Sequence, residues 1–198
     1  MKNTKYRILF LLFILPLILY FLTCDRADMY TIGKYGPEPD VIYFFTDAAT
    51  TYDGSFPGYD GPRQACLEVF ELYLSFLEIT RIEPLLSTTD MAANDIVPDV
   101  YSHVKVMGVD TGQTTYLISN SWNGLWDGAL DGPVSSMGIS GNYWTGSTIS
   151  GTLSTANCNG WSDTAGTGTQ GDGTATNFWI NSGTNSCAAG AGLICVGY

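Results

Sequence analysis

The chain has 198 residues, enough for one domain of ordinary size plus a leader, and its 19 acidic against 8 basic residues set a formal net charge of −11 at pH 7. Lys105 is the last Lys or Arg, so no local basic patch offsets that charge, which argues against nucleic acid and heparin-like polymers as ligands. The single histidine, His103, and five cysteines without the close pairs of a zinc site leave no metal or cofactor constellation.

At the N-terminus, Lys2, Lys5 and Arg7 precede an apolar run at 8–22, which has the dimensions of a secretory signal and is short for a membrane span. The ending Phe21-Leu22-Thr23-Cys24 has the form of a loose bacterial lipobox. Residues 1–23 are therefore expected to be a lipoprotein signal peptide and Cys24 the lipidated first residue of the mature protein. An uncleaved N-terminal anchor and plain secretion are the alternatives, and all three place the rest of the chain outside the cytoplasm. The signal removes three basic residues and no acid, leaving 8 − 3 = 5 basic and 19 acidic residues, a formal charge of 5 − 19 = −14. Residues 24–40, with Gly33, Gly36, Pro37 and Pro39, read as a tether between the lipid and a single domain at 41–198.

Within that domain, Val41-Ile42-Tyr43-Phe44-Phe45-Thr46 reads as a buried first strand, and Asp53-Gly54 and Pro57-Gly58 punctuate a surface loop. Gly61-Pro62 opens a helix, since proline is favoured at the first helical position. Its apolar stripe is expected to be Cys66, Val69, Phe70, Tyr73, Phe76 and Leu77, with Glu68, Glu71, Ser75 and Glu78 largely between them. A short capped helix is expected at 89–94, stopped by Pro98. Strand-like runs follow at 104–107 and 115–118 around the turn Asp110-Thr111-Gly112, then an aromatic loop or short helix at 121–128, then strand-like runs at 142–146, 178–180 and 193–196. The class is α+β: one or two helices, short antiparallel strands and long loops.

Residues 143–198 are dominated by Gly, Ser, Thr and Asn, with Asp163 and Asp172 the only charged side chains. Such a composition offers too little apolar surface to offset the cost of ordering it. Three tryptophans and three cysteines in the same stretch argue for a fold stapled by disulfides around a few buried rings. With Cys24 lipidated, Cys66, Cys158, Cys187 and Cys195 remain, an even set for two disulfides in any of three connectivities.

A helix-borne Cys66 after a strand and the Gly58-x-x-Gly61 loop, then Tyr143-Trp144-Thr145-Gly146, Cys158-Asn159-Gly160-Trp161, Trp179, Cys187 and Cys195, form a recognisable series. Together with the segment 118–128, it resembles the endostatin-like branch of the C-type lectin-like fold, most like the endostatin-like outer-surface lipoproteins of leptospires. The resemblance covers roughly 41–198 and implies nested disulfides, Cys66 with Cys195 and Cys158 with Cys187. It implies a lipid-anchored protein of the outer membrane or cell surface, attached through its N-terminal lipid. The partners implied are host extracellular-matrix proteins such as laminin or fibronectin, or complement regulators such as factor H. Gly61-Pro62-Arg63 departs from the family's Gly-Ala-Asp motif before the helical cysteine. The arginine-rich heparin face and histidine zinc site of endostatins proper have no counterpart.

A glycan-binding module on the same fold, or a periplasm-facing envelope lipoprotein without a host ligand, is the alternative. The calcium-binding tripeptides of lectins are missing; Asp127, Asp131, Asp163 and Asp172 read as solvated loop acids. No nucleophile stands at a motif spacing from His103, so no catalytic residue is assigned and no enzyme is expected. Trp144, Trp161 and Trp179 are expected in the core. Tyr52, Phe56 and Tyr59 in the Gly/Pro loop, with Trp122 and Trp126, are the candidate partner contacts.

Overall fold

The computed structural model describes residues 37–56 and 60–198; the apolar run at 8–22, Cys24 and Tyr59 lie outside the described residues. Among the described residues no helix is long and apolar enough to cross a membrane. The strands are β1 (Ile42–Phe45), β2 (Ile82–Pro84), β3 (Val106–Val109), β4 (Thr115–Ser119), β5 (Asn142–Trp144), β6 (Thr167–Asp172), β7 (Gly183–Ser186) and β8 (Cys195–Gly197). The one full-length helix among the described residues, α1, runs Asp60–Val69. The protein is thus a mixed α+β domain with one main helix, short strands and two disulfides.

A five-stranded sheet has the order β2-β8-β1-β3-β4. Its middle strand is the apolar run legible in the sequence: Ile42, Phe44 and Phe45 are wholly buried. Alternation sends Ile42 and Phe44, with Ile194 and Val196, to one face, where they meet Trp122, Tyr143 and Trp179. Phe45, with Leu193 and Cys195, faces the helix residues Cys66, Val69 and Leu74. β1 pairs with β8 antiparallel and with β3 parallel, so the sheet is mixed rather than wholly antiparallel. The connection from β1 to β3 contains α1 and β2, and a crossover of that length is what a parallel pair requires.

α1 carries Cys66 and Val69 inward, but it does not continue as a regular helix. Phe70–Leu74 is a turn of π-helix, and the inward position after Val69 passes to Leu74 (2% exposed). The expected stripe fails there. Tyr73 and Phe76 are 39% and 54% exposed, beside Leu72 at 73%. The wider π turn advances the apolar face by one residue, a shift that a 3.6-residue period cannot anticipate. The helix expected at 89–94 is replaced by 3₁₀ turns at Ala93–Asp95 and Asp99–Tyr101, and Pro98 precedes the second rather than ending a helix.

The second sheet, β5-β6-β7, is antiparallel. Segment 178–180 is not one of its strands. Its carbonyls go to mixed partners rather than to a ladder: Trp179 O accepts from Asp172 N (3.0 Å) and the Tyr143 hydroxyl (2.7 Å), Ile180 O from the Thr145 hydroxyl (2.7 Å), and Phe178 O closes a turn with Asn181 N (3.0 Å).

Cys66–Cys195 ties α1 to β8 over a sequence separation of 129, and Cys158–Cys187 lies nested within it with a separation of 29. Cys158, Asn159, Gly160 and Trp161 form a left-handed turn with φ of 52°, 54°, 70° and 65°. Left-handed geometry costs roughly 1–2 kcal/mol per non-glycine residue. It is held by the disulfide at one end, the buried Trp161 at the other and an Asn157 Oδ1 that accepts from Gly160 N (2.9 Å). Four indoles are buried, and each donates to a backbone carbonyl: Trp122 to Asn94, Trp144 to Tyr52, Trp161 to Ser87 and Trp179 to Leu125. These bonds remove the penalty of burying the one polar atom of each ring.

Candidate functional site

Two surfaces combine exposed or half-exposed rings with loops fixed from below. The first is a ridge around Trp126, where three loop segments meet. Trp126 closes the 3₁₀ turn Asn123–Trp126, with its ring edge-on to Trp122 (5.4 Å between centroids) and tilted over Trp179 (6.0 Å). A small loop closed by the Ser147–Leu153 bridge lies against it at Gly151, where φ is +78° and a Cβ would stand 2.6 Å from Trp126 Cε3. Only glycine fits both the backbone and the ring at that point.

From this loop Ile149 projects 39% exposed, and from the third segment Phe178 projects 59% exposed. Phe178 N donates to Gly128 O (3.3 Å), and Ile149 Cδ1 lies 3.8 Å from where a Cβ on Gly128 would stand, so both residues border the turn at Gly128. Phe178 is also at φ 56°, a region where a bulky side chain is out of place. Trp126 Nε1 and Asn94 Oδ1 are buried without a hydrogen-bond partner, which makes this corner the least satisfied polar part of the core.

The second surface is a groove of about 790 Å³ between the segment 51–56 and the start of α1, lined chiefly by Tyr52, Asp53, Ser55, Phe56, Asp60 and Gln64. Its loop wall is not slack. Tyr52 and Ala191 exchange backbone hydrogen bonds (2.8 and 3.0 Å), and Tyr52 O also accepts the Trp144 indole N–H (2.7 Å). Gly54 passes directly over the inner disulfide, its N–H donating to Cys187 O (2.6 Å). A Cβ there would collide with Cys158 Sγ and lie 2.9 Å from Cys187 Cβ, so glycine is required by proximity alone. Phe56 sits between Tyr52 (5.8 Å) and Trp161 (6.0 Å). Asp53 Oδ1 accepts from Ser55 N (3.0 Å), which fixes the loop tip. The Tyr52 phenol is held above its ordinary pKa by partial burial first, then by the negative charges of Asp47 and Glu68.

The contacts expected from sequence therefore separate. Tyr52 and Trp126 are half-buried and reach the groove and the ridge respectively. Trp122 is corrected: it is 1% exposed, its N–H is bound to Asn94 O (3.0 Å), and its ring stands edge-on to Phe44 at 6.1 Å. Phe56 is corrected too, being 5% exposed and serving mainly as packing between Tyr52 and Trp161. Phe178 and Ile149 were not among the expected contacts. Phe178 falls in an apolar triplet that reads as strand, and nothing in the sequence marks its positive φ. Among the described residues no three His, Cys, Asp or Glu side chains converge on a point that could hold a metal ion. The ridge offers apolar contact, and the groove adds hydrogen-bonding groups and negative charge. No protein-family model matches the chain, and no significant match to it is found among curated proteins.

Proposed function

We propose that the chain is an exported, lipid-anchored binding module on an endostatin-like, C-type lectin-like fold, which holds a protein partner outside the cytoplasm through loop side chains and performs no chemistry. The fold reading is supported by the pairing of β1 with β8, the helix bridged to β8 and the second disulfide nested inside the first. The partners are those the resemblance implies: matrix proteins such as laminin or fibronectin, or complement factor H. The Cys24 lipid would hold the module at the outer membrane or cell surface.

One observation carries the binding reading. Phe178 is a large apolar side chain, 59% exposed, on a backbone at φ 56°. Neither stability nor solubility accounts for a phenylalanine there, since glycine would relieve the backbone and remove apolar surface. Contact with a partner accounts for both. Substituting Phe178→Gly is expected to leave the fold intact, raise its stability by up to about 1 kcal/mol and weaken partner binding by tenfold or more. Surface plasmon resonance of the purified protein against laminin, fibronectin and factor H tests this. Binding to none of them above an unrelated lipoprotein would discard the reading.

A further inference from the structure

We infer that the groove between segment 51–56 and the start of α1 is a pocket for an arginine side chain presented by the partner. The inference rests on the binding-module reading and adds to it the chemistry of one contact. Its lining joins two aromatic residues, Tyr52 and Phe56, to two acids, Asp53 and Asp60, and to Gln64 on the same helix as Asp60. Gln64 Nε2 donates in turn to Glu68 Oε1 (3.3 Å), a further acid on that helix. Among the described residues no basic side chain lines the groove. Arg63, on the same helix, is turned elsewhere: its Nε donates to Ile82 O (3.3 Å) and stands 3.4 Å from Glu83, which Arg81 also reaches at 3.0 Å. Arg63 and Arg81 thus converge on one buried carboxylate, and the described lining of the groove stays acidic.

A guanidinium suits this lining better than other occupants do. It is planar, stacks on aromatic faces and presents donors on several edges to carboxylates at once. A lysine ammonium is a point charge that pairs with one acid at a time and cannot stack flat on a ring. A calcium ion needs six to eight oxygen ligands, more than two separated carboxylates supply. A purely apolar side chain would strip water from Asp53 and Asp60 with nothing in exchange. The N-terminus of α1 contributes about half a positive charge, which the full negative charge of Asp60 outweighs. The loop wall is already fixed by the Tyr52–Ala191 pair, by Gly54 on the inner disulfide and by the Asp53–Ser55 turn, so little ordering is left for binding to impose.

The test is an NMR titration of the isotopically labelled protein with a blocked tetra-arginine peptide, and in parallel with blocked tetra-lysine. The arginine peptide is expected to shift the amides of Gly54, Ser55 and Gln64, to bind more tightly than the lysine peptide and to weaken as salt rises. Asp53→Asn and Asp60→Asn are each expected to weaken binding by about threefold, and together by about tenfold. The Asp53→Asn substitution keeps the side-chain oxygen that accepts from Ser55 N, so folding is not in question. Shifts scattered over other acidic surface, or unchanged affinity in the double variant, would overturn the pocket. The two readings can fail separately. Full partner binding by the double variant removes the pocket and spares the module. A localised arginine site in a protein that holds none of the matrix or complement ligands does the reverse.

Discussion

The two sheets of this domain are held together by different means. The five-stranded sheet is buried between helix residues on one side and large rings on the other, and its strands are rich in Ile, Val and Phe. The three-stranded sheet includes Thr-Gly-Thr-Gln-Gly-Asp and Gly-Thr-Asn-Ser, strands with no apolar side chain, and β7 is exposed along its whole length. Trp144, at the end of its strand β5, packs with Trp161, the inner disulfide and a left-handed turn. Side-chain burial suffices to order the first region. In the second, a covalent link and a few rings with paired indoles order a backbone that would otherwise remain loose. The contrast shows how a Gly/Ser/Thr-rich segment becomes rigid enough to support exposed loop residues.

That contrast can be broken most severely at the disulfides. On loop-closure entropy, removing the outer bridge in a Cys66→Ser/Cys195→Ser variant should cost about 5 kcal/mol, and removing the inner bridge in Cys158→Ser/Cys187→Ser about 3.5 kcal/mol. Urea melts should show the outer variant losing the whole fold. Hydrogen exchange on the inner variant should show lost protection concentrated in β6, β7 and the 158–161 turn, with the five-stranded sheet still protected. Uniform loss across both sheets would mean that the regions are not separable.

A smaller perturbation acts at one atom. Gly54→Ala places a methyl against Cys158 Sγ beneath the groove wall, and the expected loss is about 3 kcal/mol by chemical denaturation. An alanine there without cost would show that the 51–56 loop rides freely over the bridge, contrary to its hydrogen bonds.

The mildest probe is pH, and it reports on the first region. Tyr198, 7% exposed, donates its hydroxyl to Ile96 O (2.8 Å), and burial pushes its pKa from 10.0 up to about 12. A phenol whose pKa is raised on folding favours the folded state while both states are protonated. The contribution is fully present below pH 10.0 and is lost as the pH rises through about 12, because the unfolded chain gives up its proton first. Roughly 2 kcal/mol should disappear across that interval. The Tyr198→Phe variant should flatten the corresponding part of the stability-versus-pH curve.

The difference between the regions also explains what the sequence reveals. β1, β3, β4 and the start of α1 are legible because their apolar residues follow the strand or helix period. β6 and β7 are not, since their backbone pairing is fixed by neighbours rather than by any pattern of their own. The π turn at Phe70–Leu74 escapes notice because Tyr73 and Phe76 satisfy an ordinary helical stripe as well as Leu74 does. At the candidate site, Tyr52 and Trp126 are signalled by loop chemistry and ring content. Trp122 carries the same signal yet lies in the core, because its ring packs on Phe44 and Asn94 O is placed to accept its N–H, and neither partner is marked in the local sequence. Phe178 and Ile149 become visible only once three distant loops are brought together.

The place of β8 between β1 and β2 bears on how this protein is made. β1 is the first of the described strands to be synthesised and pairs antiparallel with Cys195–Gly197, the last of them, and Cys66 must wait for Cys195. A nascent chain therefore lacks both the partner strand and the partner thiol of the β1–α1 region until residues 195–197 have been made. On the export reading proposed above, such a polypeptide would stay unlocked while it is threaded through a channel and would close only where its thiols meet an oxidising environment.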